Sequence, residues 1–395
     1  MPSAFYLYDF LQASSAIASA VHNVVGFNGR QAPSMPSGAT VLWRQVARQA
    51  GAALDETVLG MMNRPSRYPT PEGYERLRRE IEDTRDLYAS KGRLASPADF
   101  NLAPPPLVEP EIHPVGVSPF LYEQMTFESG YAPDPDDRVG VRWLEHQRNR
   151  TAHAWALRYE DPTRPWLICL HGLGTGSPYL DFPGFRATYL HNRLGLNMLF
   201  PVLPLHGPRR EHGMDRGALL SYELVESLHG TAQAVWDVRR MISWIRANGG
   251  RRIGLYGQSF GAYTASLIAG LEDIDLVIAG VPLADVPDLF ARHTPAEAYG
   301  RDKPDGVLGS SLRELFSAVS PLAVTPNVAR ERRFVFAGVE DRMSTAGQAR
   351  RLWEHWEQPP IQWFDGGHIG FFLSRRVDSF IRRALYSSGF AVHVA

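Results

Sequence analysis

The sequence predicts an α/β fold built on a mostly parallel sheet, preceded by a helical region. Three observations carry this. From residue 120 to the C-terminus, short apolar runs alternate with helical segments. Most of those runs are apolar almost throughout, as strands buried on both faces must be. Residues 1–103 show apolar positions at helical spacing instead.

The opening stretch, "MPSAFYLYDFLQASSAIASAVHNVV", has no positively charged start and carries Asp9 ahead of its small residues. It reads as a helix and not as a secretory leader. A second helix is expected from about Val41 to Met61. A third lies in "TPEGYERLRREIEDTRDLY", where Thr70 is the N-cap and Pro71 takes the first helical position. Tyr74, Leu77, Ile81 and Tyr88 recur there on one face. The proline-rich "APPPLVEPEIHPVGVSP", Ala103 to Pro119, reads as an extended linker or a strap. The expected organisation is a helical region (1–103), a linker (104–119) and an α/β domain (120–395).

Within that domain "LYEQMTFES" (121–129) and "TAHAWALRYE" (151–160) alternate in the manner of an antiparallel pair. Six further strands follow: "WLICLHG" (166–172), "NMLFPVLP" (197–204), "RIGLYGQS" (252–259), "DLVIAGVP" (275–282), "RFVFAGVED" (333–341) and "IQWFDGGH" (361–368). Between them "TAQAVWDVRRMISWIRANGG" puts Val235, Val238, Ile242 and Ile245 on one face and stops at Gly249-Gly250. "FFLSRRVDSFIRRALY" closes the core with Phe372, Val377, Phe380, Ile381 and Leu385. Residues 283–325 are too long for a loop and contain "VPDLFARH" and "LRELFSAV"; they are expected to form an inserted lid.

Composition narrows the function classes. The net charge of −1 provides no global field for nucleic acid. The one cysteine, Cys169, lies in an apolar run, so no internal disulfide forms and a buried side chain is expected. No apolar run reaches the ~18 residues of a membrane span. The expectation is a cytoplasmic protein without stable membrane insertion, whose N-terminal helices are candidates for engaging a partner or a second copy.

The chemistry centres on "LYGQSFGAY". Ser259 stands where a strand turns into a helix, with Gly257 and Gly261 two residues either side. Strand and helix approach so closely at such a turn that the flanking positions must be tiny, and the serine hydroxyl is pushed out of the sheet. A serine needs a base, and His368 follows the last strand in "FDGGHIGFF". The base needs a carboxylate to hold its tautomer, and Asp341 ends the preceding strand. Glu340, Asp365 and above all Asp285 are rivals for that role. The developing oxyanion needs two N–H donors. Phe260, after the serine, is one candidate; Leu173, in "HGLGTG", is the other, and His171, Gly172 and Gly174 of that loop would line the substrate. A dinucleotide reading of "HGLGTG" fails because Ser177 stands where the third glycine belongs. Arg209 and Arg210, in "LHGPRREHGMD", are placed to hold a substrate carboxylate or phosphate, or to form salt bridges to the lid. His206 and His212 in the same loop match no metal-binding spacing. His22, His146 and His355 are expected at the surface.

Four motifs in this order make residues 120–395 resemble the alpha/beta-hydrolase superfamily. The resemblance implies an eight-stranded sheet whose second strand is antiparallel. It also implies hydrolysis of an ester, thioester or amide through a covalent acyl-enzyme. A carboxylesterase acting on a small-molecule ester, without metal or cofactor, is the simplest expectation. An acyltransferase or peptidase of the same fold, or a non-catalytic binding module, is the alternative.

Overall fold

The strands of the described residues form one nine-stranded sheet in the order β1-β2-β3-β5-β4-β6-β7-β8-β9. The computed structural model describes residues 55, 68–117, 120–211, 213, 218–294 and 307–391. The strands are β1 (Glu111–Val117), β2 (Phe120–Glu128), β3 (Thr151–Leu157), β4 (Trp166–Leu170), β5 (Asn197–Val202), β6 (Ile253–Gln258), β7 (Leu276–Gly280), β8 (Arg333–Gly338) and β9 (Ile361–Phe364). The helices are α1 (Pro71–Ser90), α2 (Pro97–Phe100), α3 (Arg138–Trp143), α4 (Pro178–Gly184), α5 (Ala187–Asn192), α6 (Leu224–Ala247), α7 (Phe260–Ile268), α8 (Val286–His293), α9 (Ser310–Ser317), α10 (Thr345–His355) and α11 (Arg375–Ser387). β3 runs antiparallel to both its neighbours, and β4 to β9 run parallel. This is the alpha/beta-hydrolase fold, with one strand more than expected.

The additional strand is β1, and it corrects the reading of 104–119 as a linker throughout. Its residues pair antiparallel with β2, Pro114 lying opposite Glu123. Proline lacks the N–H that a central ladder needs, but an outer strand leaves one side unpaired. A similar allowance explains Pro201 inside β5: the pairing with β4 covers Asn197, Met198 and Leu199 and stops before it. The stretch ahead of β1 behaves as a strap. Leu107 is buried in the core, and its amide donates to Ser243 Oγ of α6 at 2.9 Å.

Side chains alternate across the sheet into two cores. In β4, Trp166, Ile168 and Leu170 join the face covered by α6, α7, α8 and α9, while Leu167 and Cys169 join the face covered by α4, α5 and α11. Cys169 is buried, as expected, and burial pushes its thiol well up.

The helix at 71–90 is present with the expected cap: Thr70 Oγ1 accepts from Gly73 N at 3.2 Å. Leu77, Ile81 and Tyr88 are buried in the same core as α6 and α9. Arg76 pairs with Glu223, and Arg142 with Glu80 and Glu226, so ion pairs also tie α1 and α3 to α6. These pairs are partly exposed and contribute about 0–1 kcal/mol each; the buried apolar face dominates the attachment. Of the helices expected in the N-terminal region, those over 1–25 and 41–61 lie outside the described residues except for Asp55, which is helical and buried. The stretch 283–325 contributes α8 and α9, with Phe290, Leu312, Leu315 and Phe316 in the core; residues 295–306 lie outside the described set. Among the described residues, no helix is long and apolar enough to cross a membrane.

Leu77 is fully buried in this interface. Leu77→Ala is expected to lower global stability by about 2–5 kcal/mol. Urea unfolding followed by tryptophan fluorescence reads it. A small early transition with the main one unmoved would mean that α1 is not part of the cooperative core.

Candidate active site

Strand order locates the site before any side chain is considered. β4 lies between β5 and β6, so the chain leaves β4 toward one edge of the sheet and returns on its other side. In parallel sheets the crevice beyond the strand ends opens where the order reverses. The loops after β4 and β6 meet there, and they are "HGLGTG" and the Ser259 turn.

Ser259 has φ 57° and ψ −120°. A β-carbon-bearing residue at positive φ is strained by roughly 1–3 kcal/mol, held by its surroundings. The surroundings here are unusually close. A Cβ on Gly261 would lie 1.9 Å from Leu170 O, and one on Gly257 would lie 2.2 Å from Gly261 O. Both glycines are therefore demanded by contact of α7 with the ends of β4 and β6. Ser259 N is fixed to Gly280 O at 2.9 Å, and its side chain is half-buried.

The loop after β4 faces the serine: a Cβ on Gly172 would lie 3.1 Å from Ser259 Cβ and 3.7 Å from its Oγ. Neither the Leu173 nor the Phe260 amide donates to another backbone carbonyl among the described loops and caps. Two buried histidines shape this loop. His171 Nδ1 donates to Gly172 O at 2.7 Å, and its Nε2 accepts from Leu203 N at 3.1 Å. His206 Nδ1 donates to Pro204 O at 2.8 Å, and its Nε2 accepts from Gly174 N at 3.1 Å. Carbonyls only accept and amides only donate, so each ring has one tautomer. Burial keeps both rings neutral, holding His171 down to about 3 and His206 to about 4. The expectation that His171 contacts substrate is corrected: both its nitrogens are spent on the backbone.

Base and acid come together. His368 Nδ1 lies 2.7 Å from Asp341 Oδ2, and both residues are under one-tenth exposed. The contact leaves Nε2 as the ring's acceptor. Asp341 Oδ1 takes the amides of Met343 and Ser344 at 2.9 and 3.0 Å, so the carboxylate is held from both sides. Ser344 Oγ donates to Val281 O at 3.3 Å and lies 3.2 Å from His368 Nδ1. Burial alone would push the His368 ring down, but the charge and hydrogen bond of Asp341, with the charge of Asp55, raise it above its ordinary value.

Two of the rival acids have other partners. Asp285 caps α8 by accepting Asp288 N at 2.9 Å and pairs with Arg351 at 2.9 Å. Asp365 faces Arg376 at 3.8 Å. The amide of Glu340 donates to Gly366 O at 3.1 Å, a backbone rung between the β8 and β9 loops.

Arg209 does not serve a substrate, and its expected role is corrected. It is 1 % exposed, donates to Val202 O and Asn149 O at 2.9 and 3.0 Å, and pairs with Asp237 at 2.9 Å. A guanidinium so enclosed holds the end of β5 to α6. Arg210 is half-buried, and its carbonyl accepts from Arg148. His146 lies 3.5 Å from Glu226, and His355 donates to Val324 O at 2.8 Å, both away from the site. His22 and His212 lie outside the described residues. Among those residues no three His, Cys, Asp or Glu side chains are grouped to hold a metal.

Sequence reasoning missed Ser344, the clamping role of His206, and Asp55. Asp55 Oδ2 accepts the amides of Arg342 and His368 at 3.0 and 2.7 Å. No local pattern marks such a contact.

No family model matches the chain. Two proteins of Mycobacterium tuberculosis, each described as an uncharacterized protein, do. The one from strain CDC 1551 is 40 % identical over 348 residues, and the one from strain H37Rv 39 %. Each match covers 87 % of this chain and 83 % of the relative. Among solved structures, a Pyrococcus furiosus esterase is similar with a TM-score of 0.42 and 15 % identity, over 74 % of this chain and 98 % of that one. The acylaminoacyl peptidase of Pyrococcus horikoshii is similar with a TM-score of 0.41 and 14 % identity, over 61 % of this chain and 39 % of the peptidase. The chain thus spans under half the length of that peptidase. The fold stands on the chain's own strand order and not on these likenesses.

The neutral histidines set a pH dependence of stability. Their folded pKa values lie below the unfolded value of about 6.5, so the unfolded state binds more protons below that pH. The stability they confer is complete above pH 6.5 and falls as pH drops toward their folded values. Asp181, pushed up to about 7 by burial, acts with opposite sign, so a variant difference is the readout. His206→Gln should flatten the slope of unfolding free energy between pH 6.5 and 4 by up to about 1.4 kcal/mol per pH unit. Urea titrations across that range measure it, and an unchanged slope refutes the neutral assignment.

Proposed function

We propose that this chain, which has the alpha/beta-hydrolase fold and belongs to one family with the two mycobacterial proteins, is a serine hydrolase, most simply a carboxylesterase. The observation that carries the reading is the strained Ser259 turn facing Gly172 of the loop after β4. A fold holds a serine in such a conformation at the switch point of its sheet when the hydroxyl has work to do there.

The mechanism follows from the groups present. Ser259 Oγ attacks the carbonyl carbon of the ester while His368 Nε2 takes its proton. Asp341, bonded to Nδ1, keeps the tautomer that leaves Nε2 free and stabilises the imidazolium. The amides of Phe260 and Leu173 receive the oxyanion. Collapse of the tetrahedral intermediate breaks the bond to the alcohol, which leaves with the proton from His368. A water molecule then attacks the acyl-enzyme with His368 again as base, releasing the acid and restoring Ser259. The reading requires no metal or cofactor, and its substrate is a small-molecule ester.

Ser259→Ala should abolish fluorophosphonate labelling and cut hydrolysis of p-nitrophenyl esters by several orders of magnitude. Labelling that survives the substitution refutes the assignment.

Asp341→Asn should lower kcat by about 10³–10⁴, because the serine, base and oxyanion donors remain but the tautomer is lost. Asp285→Asn should cost about tenfold or less, through α8. The reverse ranking on one ester, with both variants folded by circular dichroism, would move the acid to the loop after β7.

Only the neutral imidazole accepts a proton, so activity should rise with pH. With His368 raised above its ordinary value, the midpoint of kcat/KM should lie above about 6.5. A midpoint clearly below that value would show that the two carboxylates do not bear on the ring.

A further inference from the structure

We propose that Asp55 is a positioning residue of this site, clipping the turn that carries Asp341 to the loop that carries His368; the proposal rests on the serine hydrolase reading. It starts from what happens where β8 and β9 stop pairing. Val339 N donates to Phe364 O at 3.1 Å, and Glu340 N to Gly366 O at 3.1 Å. Beyond these rungs the two loops present N–H groups, from Arg342 and from His368. Two donors cannot bond each other, and left buried they would each cost about 1–3 kcal/mol. An acceptor from outside both strands is required.

Asp55 supplies it. One oxygen, Oδ2, takes Arg342 N at 3.0 Å and His368 N at 2.7 Å. Arg342 directly follows the acid, and the second amide belongs to the base itself. The ring of His368 is therefore fixed at Nδ1 by Asp341 and at its own backbone by Asp55. A carboxylate suits the place better than a neutral acceptor, because charge-assisted bonds to backbone amides are the stronger kind. Asp55 is 0 % exposed, and burial pushes its carboxyl up against the opposing pull of the two amides. Buried charge of this kind survives where something returns the cost. Here the two amides do, and the imidazolium formed during each acyl-transfer step adds to them.

Of the charged groups around His368, Asp341 faces the ring and Asp55 lies at its backbone. Asp365 is turned toward Arg376, and Ser344 offers only a hydroxyl. Removing the charge of Asp55 while keeping its shape should therefore ease loss of the His368 proton. Removing the side chain should let the two loops drift apart. Misplacement of a base by about 1 Å costs on the order of 100-fold.

The test uses the full chain with Asp55→Asn and Asp55→Ala, each normalised to the number of sites titrated by a fluorophosphonate. Asp55→Ala should lower kcat about 10- to 100-fold with KM within about twofold. Asp55→Asn keeps an acceptor oxygen; it should recover most of kcat and move the acid limb of the pH profile to lower pH. In parallel, the His368 ring is titrated by NMR on histidine-labelled Ser259→Ala protein, with and without Asp55→Asn. That measurement needs no activity, and a lower His368 pKa in the Asn variant is expected. If the pKa falls but wild-type protein neither turns over esters nor takes the probe, the clip stands and the hydrolase reading falls. Should wild-type turnover be present while both variants keep wild-type kcat per titrated site and the His368 titration is unmoved, the clip is overturned. If Asp55→Ala fails to fold, the Asn variant and the NMR titration decide alone.

Discussion

Helix α7 begins so close to the ends of β4 and β6 that one added carbon has nowhere to go. The hypothetical Cβ of Gly261 falls 1.9 Å from Leu170 O, well inside any van der Waals contact. That approach has three consequences. It forces Ser259 into positive φ, it lifts the side chain toward the crevice, and it brings Gly172 against the serine. The strain has to be held by the rest of the fold, and the bond from Ser259 N to Gly280 O of β7 is part of what holds it. A loosened sheet would relax the elbow first, because nothing local favours that backbone. The core on both faces of the sheet is therefore a condition of the site and not merely its support.

Much of this was legible in the sequence. Ser259, Asp341 and His368 each lie just beyond the end of a strand, and apolar runs locate strand ends well. The contact between His368 and Asp341 follows from adjacent parallel strands, so order along the chain predicted it. Asp285, a rival acid in the sequence, caps α8 instead, as an aspartate just before Val286-Pro287 is placed to do. What escaped has one physical origin: it depends on neighbours far away in sequence. β1 was hidden by Pro114, which is tolerable only because that strand is outermost. Whether Arg209 meets a substrate anion or a salt-bridge partner turns on Asp237 and two distant carbonyls that enclose it. Asp55 reaches partners 287 and 313 residues away, and no spacing rule operates over such distances.

The site also has a direction, visible in how its charge is arranged. The loop after β4, whose amides are aimed at the oxyanion in the proposed mechanism, is held by His171 and His206, both kept neutral by burial. No added positive charge is needed there, since backbone dipoles fixed in a dry place stabilise a developing anion without reorganising. On the other side, the His368 ring, which the proposed mechanism makes positive, is faced by Asp341 and supported by Asp55, both buried and both acceptors. In the proposed mechanism, a proton moved from Ser259 to His368 would place the new negative charge among amides and the new positive charge among carboxylates. Each half of the separated pair is met by groups already in position, so the low dielectric that would oppose charge separation strengthens those contacts instead. Arg209, in the loop after β5, adds no charge there: it is turned into the core and paired with Asp237.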